Sequence, residues 1–282
     1  MDIQTIGIIG AGQMGSGIAQ ICAAKGLKVV MRDVNDAAVQ RGIVSITANL
    51  DRMLAKSKIS DAEKQATLAA IKGTTDLNEL VQTNFLIEAA TENIELKLSI
   101  LKEIDTLARP DTIIATNTSS ISITRLACKI SHPNRFVGMH FFNPVPVMAL
   151  VEVIRGIQTD DETYAATDAL ARRIGKTPIA VKNSPGFVVN RILVPMINEA
   201  VFVLQEGLAR AEEIDAGMQA GANHPIGPLA LADLIGLDTC LAIMEVLYRE
   251  FNDPKYRPAP LLREMVDAGY LGRKTKKGFY AY

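Results

Sequence analysis

The chain has 282 residues, 48% of them hydrophobic and 22% charged, which is ordinary for a globular protein and long enough for two domains. Lys plus Arg number 30 against 31 Asp plus Glu, so no global field draws nucleic acid or a membrane surface, and an anionic partner needs a local cationic patch. Cys22, Cys128 and Cys240 are widely spaced, odd in number and not clustered with His ligands, which argues against a disulfide framework and a bound metal and fits a reducing, cytoplasmic setting; the chain starts on a strand pattern rather than a basic segment followed by an apolar one, so no signal peptide is expected.

The chain opens with an apolar run over 3–9, the turn Gly10-Ala11-Gly12-Gln13-Met14-Gly15, a helical stretch, and a second apolar run ending at Asp33. Strand, glycine turn, helix, strand and acid in that order hold the pyrophosphate and ribose of a dinucleotide. Gly10 lets the chain turn tightly, Gly12 clears space for the phosphates, and Gly15 lets the helix pack on the strand. Gln13 and Met14 open the helix whose N-terminus faces the phosphates. Asp33, 18 residues beyond Gly15, can accept from ribose hydroxyls and favours NAD, while Arg32 beside it leaves NADP open.

Short apolar runs at 3–9, 28–33, 84–90, 112–116, 136–142, 151–155 and 178–182 alternate with helical patterns, which predicts parallel strands with crossover helices. A charged insertion over 35–72, with Ser60 and Glu63 spaced as a capping box, reads as a helical hairpin projecting from the sheet. At Asn183-Ser184-Pro185-Gly186 the strand signals stop; Ser184 is expected to cap a helix beginning at Pro185. Helices are expected over 187–206, with Pro195 kinking it, and over 211–220, 229–251 and 260–268. The fold class is therefore α/β: a Rossmann-type, mostly parallel domain over 1–183 followed by an all-α domain over 184–282. A ligand cleft is expected between them. The apolar stretch 186–204 holds Asn190, Arg191, Asn198 and Glu199 and reads as a core helix, not a membrane span.

Of the three histidines, His132 and His224 each precede a proline and read as loop residues. His140 lies in an apolar strand late in the sheet, and Glu152, 12 residues on, lies in the next apolar run, where a carboxylate needs a partner. Glu152 could set the tautomer of His140 and stabilise its imidazolium, as a general base requires; a structural pair is the plainer alternative. Ser119 follows a strand at its carboxyl end and could instead cap the next helix. Asn190 stands near the start of an apolar helix, where a self-satisfied buried amide is the alternative. Glu92 is also explained by the dipole of the helix it begins, and Lys97 by a solvated helix face.

The motifs Gly10 to Gly15, Glu88-Ala89-Ala90-Thr91-Glu92-Asn93, Asn117-Thr118-Ser119-Ser120, Gly138-Met139-His140-Phe141-Phe142-Asn143-Pro144, Ser184 through Arg191 and Gly278-Phe279-Tyr280 stand in order along the whole chain. In these the chain resembles the short-chain L-3-hydroxyacyl-CoA dehydrogenases. The resemblance implies reversible NAD-dependent oxidation of an (S)-3-hydroxyacyl-CoA, with 3-hydroxybutyryl-CoA expected for this length. It implies that His140 is the base, that Glu152 orients it, and that Ser119 and Asn190 contact the substrate. It places Glu92, Lys97, Asn117 and Asn143 near the nicotinamide half of the cofactor. It sets the insertion beside the CoA nucleotide, where Arg52, Lys56 and Lys58 supply positive charge, with Arg52 and Lys56 on one helical face. It also implies a homodimer through the helical domain, for which 229–251 is a candidate interface. One departure is Lys276, where relatives commonly carry glycine; a positive φ there would cost stability. A dehydrogenase of CoA-free hydroxy acids and a non-catalytic dinucleotide binder are the alternatives, disfavoured by the basic insertion and by the His140 and Glu152 pair respectively.

Overall fold

The structure, a computed structural model, describes residues 3–282, and the chain divides after Asn183 into two compact units. Among the described residues of the first unit, eight strands form one sheet: β1 (Thr5–Ile9), β2 (Lys28–Arg32), β3 (Ile71–Thr74), β4 (Phe85–Glu88), β5 (Ile113–Thr116), β6 (Phe136–Phe141), β7 (Leu150–Arg155) and β8 (Thr177–Lys182). Their order is β3-β2-β1-β4-β5-β6-β7-β8. The helices are α1 (Gln13–Ala24), α2 (Asp36–Ala55), α3 (Asp61–Ala69), α4 (Ile94–Leu107), α5 (Ile123–Ala127) and α6 (Asp161–Arg173). β4, β5 and β6 are buried along their whole length, so they read as continuous apolar runs rather than alternating ones. The chain steps from β1 to β2 on one side and to β4 on the other, which opens the switch point above α1 where such sheets take ligands.

Three sequence expectations change here. β3 has one large apolar residue in Ile71-Lys72-Gly73-Thr74 and lies at the sheet edge, so its composition carries almost no strand signal, and the insertion ends before residue 72. β7 runs antiparallel to β6, and β8 follows β7, so the last two strands are reversed. The link over residues 142–149 is too short for a crossover, which takes a dozen or more residues. The helices of the insertion do not project freely. α2 buries Val39, Gly42, Ile46 and Leu50 along one face and packs with α3 on α1, and α3 starts at the Ser60 and Glu63 capping box.

The second unit holds α7 (Val189–Gln205), α8 (Ala211–Ala222), α9 (Pro228–Ile235), α10 (Leu237–Phe251) and α11 (Pro260–Asp267) around a core that includes Val194, Ile197, Leu237, Met244 and Leu247. Ser184 does not cap a helix at Pro185: residues 185–188 form a turn with positive φ at Gly186 and Phe187, and α7 starts at Val189. α7 continues through Pro195. The expected helix over 229–251 is two helices, because Gly236 at φ 106° breaks the backbone between them, a conformation only glycine adopts readily. Two buried carboxylates knit this unit to its carboxyl end. Asp215 accepts from the N–H groups of Leu229 and Ala230 and from the Tyr280 hydroxyl, and Asp233 accepts from the N–H groups of Phe279 and Tyr280. Burial first, then the hydrogen bond to Asp215, pushes the Tyr280 phenol far above its usual pKa.

Candidate active site

The glycine turn forms a cradle for an anion. Gly10 has φ 103° and donates its N–H to Arg32 O at 2.8 Å, which binds the turn to the end of β2. A Cβ on Gly15 would lie 1.8 Å from Gly10 O, so α1 can start beneath the turn only without one. Gly12 has nothing within 4 Å of the corresponding point, so the missing side chain leaves open space above the turn. Gly12 is also the N-cap of α1 and offers no side-chain acceptor, so the first-turn N–H groups of Gln13, Met14 and Gly15 keep no side-chain cap. Asp33 lies across this turn, its Oδ2 accepting from Ala11 N and its Oδ1 from Val34 N, each at 2.7 Å. Open space, uncapped helix N–H groups and a fixed carboxylate fit a dinucleotide's pyrophosphate and ribose. Arg32 Nε is turned to Thr75 O at 3.3 Å.

His140 and Glu152 are register partners on the antiparallel β6 and β7. Directly opposed residues share a face, so the two side chains meet, and His140 Nδ1 lies 2.7 Å from Glu152 Oε2. Both are buried, His140 at 5% exposure and Glu152 at 0%, where a polar side chain needs a hydrogen-bonding partner. The Phe142 ring packs on the imidazole with centroids 4.6 Å apart. With Nδ1 committed to the carboxylate, Nε2 is the ring nitrogen left to take part in any proton exchange. Asn117, just past β5, accepts from Phe141 N at 2.8 Å and ties the ends of β5 and β6 together.

Ser119 sits on the same rim. Its N–H and its hydroxyl both donate to Glu92 Oε1, the hydroxyl at 2.9 Å, and Thr118 Oγ1 donates to Glu92 Oε2 at 2.7 Å. Ser119 therefore does not cap α5, whose N-cap is Ser122, and Glu92 does not serve the dipole of α4, whose N-cap is Asn93. A glutamate in the loop after β4 thus orients the loop after β5.

Residues 5–184 match the model of the 3-hydroxyacyl-CoA dehydrogenase NAD binding domain, and residues 186–282 match the model of the same family's C-terminal domain. The chain belongs to the 3-hydroxyacyl-CoA dehydrogenase family. It is thereby an NAD-dependent oxidoreductase. Among its relatives in this family, the 3-hydroxybutyryl-CoA dehydrogenase of Bradyrhizobium diazoefficiens is 49% identical, the match covering 99% of this chain and 96% of that one. The probable 3-hydroxybutyryl-CoA dehydrogenase of Deinococcus radiodurans is 51% identical, with 98% and 99% covered. The crystal structure of (S)-3-hydroxybutyryl-CoA dehydrogenase from Ralstonia eutropha is 65% identical and superposes with a TM-score of 0.97, covering 100% of this chain and 99% of that one.

Within this family member, the remaining residues singled out in the sequence fall in different places. Lys97 is not on a solvated face. It is 1% exposed, and its ammonium meets the Glu88 carboxylate and Thr116 Oγ1, while Thr116 Oγ1 also donates to Glu88 Oε2 at 2.7 Å. Glu88 Oε1 accepts from Ala90 N at 2.9 Å, so this buried pair shapes the loop that leads to Glu92. Glu88 stands in the sequence only as part of a family motif, although a carboxylate closing the apolar run Phe85-Leu86-Ile87 demands a partner as Glu152 does. Asn143 is exposed just beyond β6. Asn190 is half-buried in the first turn of α7, in the second unit. Arg52, in the last turn of α2, Lys56, its C-cap, and Lys58 are exposed and form no ion pair among the described residues. His132 and His224 are not buried. No cluster of His, Cys, Asp and Glu among the described residues could hold a metal ion.

Proposed function

We propose that this protein interconverts an (S)-3-hydroxyacyl-CoA and the 3-ketoacyl-CoA, with 3-hydroxybutyryl-CoA and acetoacetyl-CoA as its working pair. The buried His140 and Glu152 pair at the carboxyl end of the sheet carries this reading, since a buried carboxylate and imidazole without a proton to move would be a costly way to hold two strands together. His140 Nε2 removes the proton of the 3-hydroxyl, and Glu152 stabilises the imidazolium that results. Bound NAD supplies the acceptor for the hydrogen that leaves C3. Ser119 keeps its N–H on Glu92 and turns its hydroxyl from Glu92 to donate to the 3-oxygen of the substrate, which leaves the one proton of that hydroxyl pointing to His140. Asn190 is the second polar contact to the substrate. Asn117, Asn143, Glu92 and Lys97 form and brace the rim for the nicotinamide half, and Gly10, Gly12, Gln13, Met14, Gly15 and Asp33 hold the pyrophosphate and adenosine half.

The CoA phosphates are met by Arg52, Lys56 and Lys58, an exposed cationic group on a chain of net charge −1. The first unit takes the cofactor, and the second forms a homodimer. Exposed apolar side chains in the second unit, Ile192 at 67%, Leu234 at 53% and Tyr248 at 44%, supply the surface for that association. The protein acts in the cytoplasm on small molecules, without nucleic acid or membrane. No helix among the described residues is long and apolar enough to cross a membrane, and the three cysteines are unpaired. The test is His140→Gln: turnover of acetoacetyl-CoA falls by about 10² to 10⁴ while NADH affinity stays at the wild-type value. Undiminished turnover in that variant would remove His140 from the reaction.

A further inference from the structure

Lys176 has no part in the chemistry above, yet it is buried at 8% exposure in the connection between α6 and β8. Unlike Lys97 it pairs with no carboxylate among the described residues. Its ammonium donates to two backbone carbonyls, Val145 O and, at 2.7 Å, Met148 O. Burial drives its pKa down. A hydrophobic side chain in its place would leave both carbonyls without this donor, so the ammonium is tied to the segment that carries them.

Both acceptors belong to one turn, residues 144–148, which leaves Asn143 at the end of the His140 strand and returns to the Glu152 strand. Within the turn, Pro144 O accepts from the N–H groups of Val147 and Met148 at 2.9 and 3.0 Å. Its underside is seated on α1. Val145 is 2% exposed, and a Cβ on Gly17, one helical turn beyond Gln13, would stand 2.8 Å from Val145 Cβ. The top of the turn is open, with Val147 at 74% and Met148 at 41% exposure. The turn is thus held from below by a glycine of the dinucleotide helix and from inside by the Lys176 ammonium, and it borders the proton-transfer pair at both ends.

We propose that Lys176 is a positioning residue for the cofactor: by collecting the carbonyls of the 144–148 turn it fixes the wall between α1 and the end of β6, and with it Asn143. It does this without touching cofactor or substrate. The inference rests on the proposed function for what that wall faces. Because the wall is preformed, its loosening appears as lost affinity and lost alignment of the reacting atoms.

The experiment compares Lys176→Met, Lys176→Arg and Gly17→Ala with the wild type. NADH affinity is read by fluorescence titration of protein free of cofactor, and the Val147 and Met148 amides by hydrogen exchange. Lys176→Met should bind NADH about tenfold more weakly, with faster exchange at both amides, while the KM for acetoacetyl-CoA stays within about twofold. Its kcat should fall by about tenfold to a hundredfold, the penalty of misaligned reactants. Lys176→Arg keeps a cation for the carbonyls and should recover most of the affinity. Gly17→Ala pushes on Val145 from the opposite side and should weaken NADH binding in the same sense. A folded Lys176→Met variant that is less heat-stable but binds NADH within about twofold of wild type would show a structural lysine and overturn the proposal. If Lys176→Met does not fold, wild-type NADH affinity in Gly17→Ala overturns it instead. Wild-type protein that binds NADH but leaves acetoacetyl-CoA unreduced would refute the proposed function alone, since the binding and exchange measurements still decide Lys176.

Discussion

Replacing Glu152 with Gln keeps the size of the side chain and removes its charge, and so isolates what the carboxylate does for His140. The two groups are 2.7 Å apart with Glu152 fully buried, so water cannot substitute for the lost charge. A hydrogen bond to a charged group contributes about 1.5 to 3 kcal/mol, and this one gains its strength only as the imidazole becomes positive during proton removal. At about 1.4 kcal/mol for each factor of ten, kcat should fall by about 10- to 150-fold. The Gln amide can also offer an N–H to Nδ1, which would leave the ring proton on Nε2, where it blocks the base, so the larger figure is the better guide. The assay is steady-state oxidation of (S)-3-hydroxybutyryl-CoA by NAD, the direction in which His140 takes up the proton, with NADH titration and thermal unfolding as controls. Removing a buried charge leaves the fold near its wild-type stability when the partner can be neutral, so the thermal midpoint should move little. A kcat within about twofold of wild type would refute the reasoning, because the carboxylate would then be a strand fastener only.

Lys276 adopts φ 59°, a left-handed conformation that costs a side chain about 1 kcal/mol relative to glycine, so Lys276→Gly should raise the thermal midpoint by a few degrees without changing kcat. Burial pushes the Cys22 and Cys240 thiols up to about 12, so at pH 8 both stay protonated and unreactive while Cys128 is exposed. A thiol-disulfide reagent should label one cysteine in the native protein and three after denaturation; fast labelling of a second in the native state would contradict the burial. Asp33→Ala should weaken NADH binding by about tenfold, and because Arg32 is engaged with Thr75 O, NADPH should improve only modestly; a full switch to NADPH would show Arg32 free to take a phosphate.

The parts of the fold that the sequence makes legible are those where backbone physics leaves one solution. The glycine turn is of this kind, since the space at Gly15 and the φ of Gly10 admit nothing else, and so is the capping box at Ser60. A carboxylate inside an apolar run must find a partner, which is why Glu152 points to His140, and the shortness of the 142–149 link is the signal for an antiparallel pair. β3 is an edge strand held by its neighbour rather than by its own composition, so periodicity does not reveal it. The break at Gly236 lies inside a continuous apolar pattern, where glycine reads equally as a tolerated helix residue. Polar contacts between loops are harder still. Glu92 with Ser119 and Lys176 with the 144–148 turn join residues far apart in the chain, and no local spacing announces them.

The most direct test of the central claim is the rate at which the purified protein consumes NADH in the presence of acetoacetyl-CoA, run beside NADPH and beside acetoacetate lacking CoA. The account predicts fast turnover with NADH and acetoacetyl-CoA, little with NADPH, and little without the CoA moiety that Arg52, Lys56 and Lys58 are proposed to hold. Equal turnover of free acetoacetate, or none of acetoacetyl-CoA by protein that binds NADH, would contradict it.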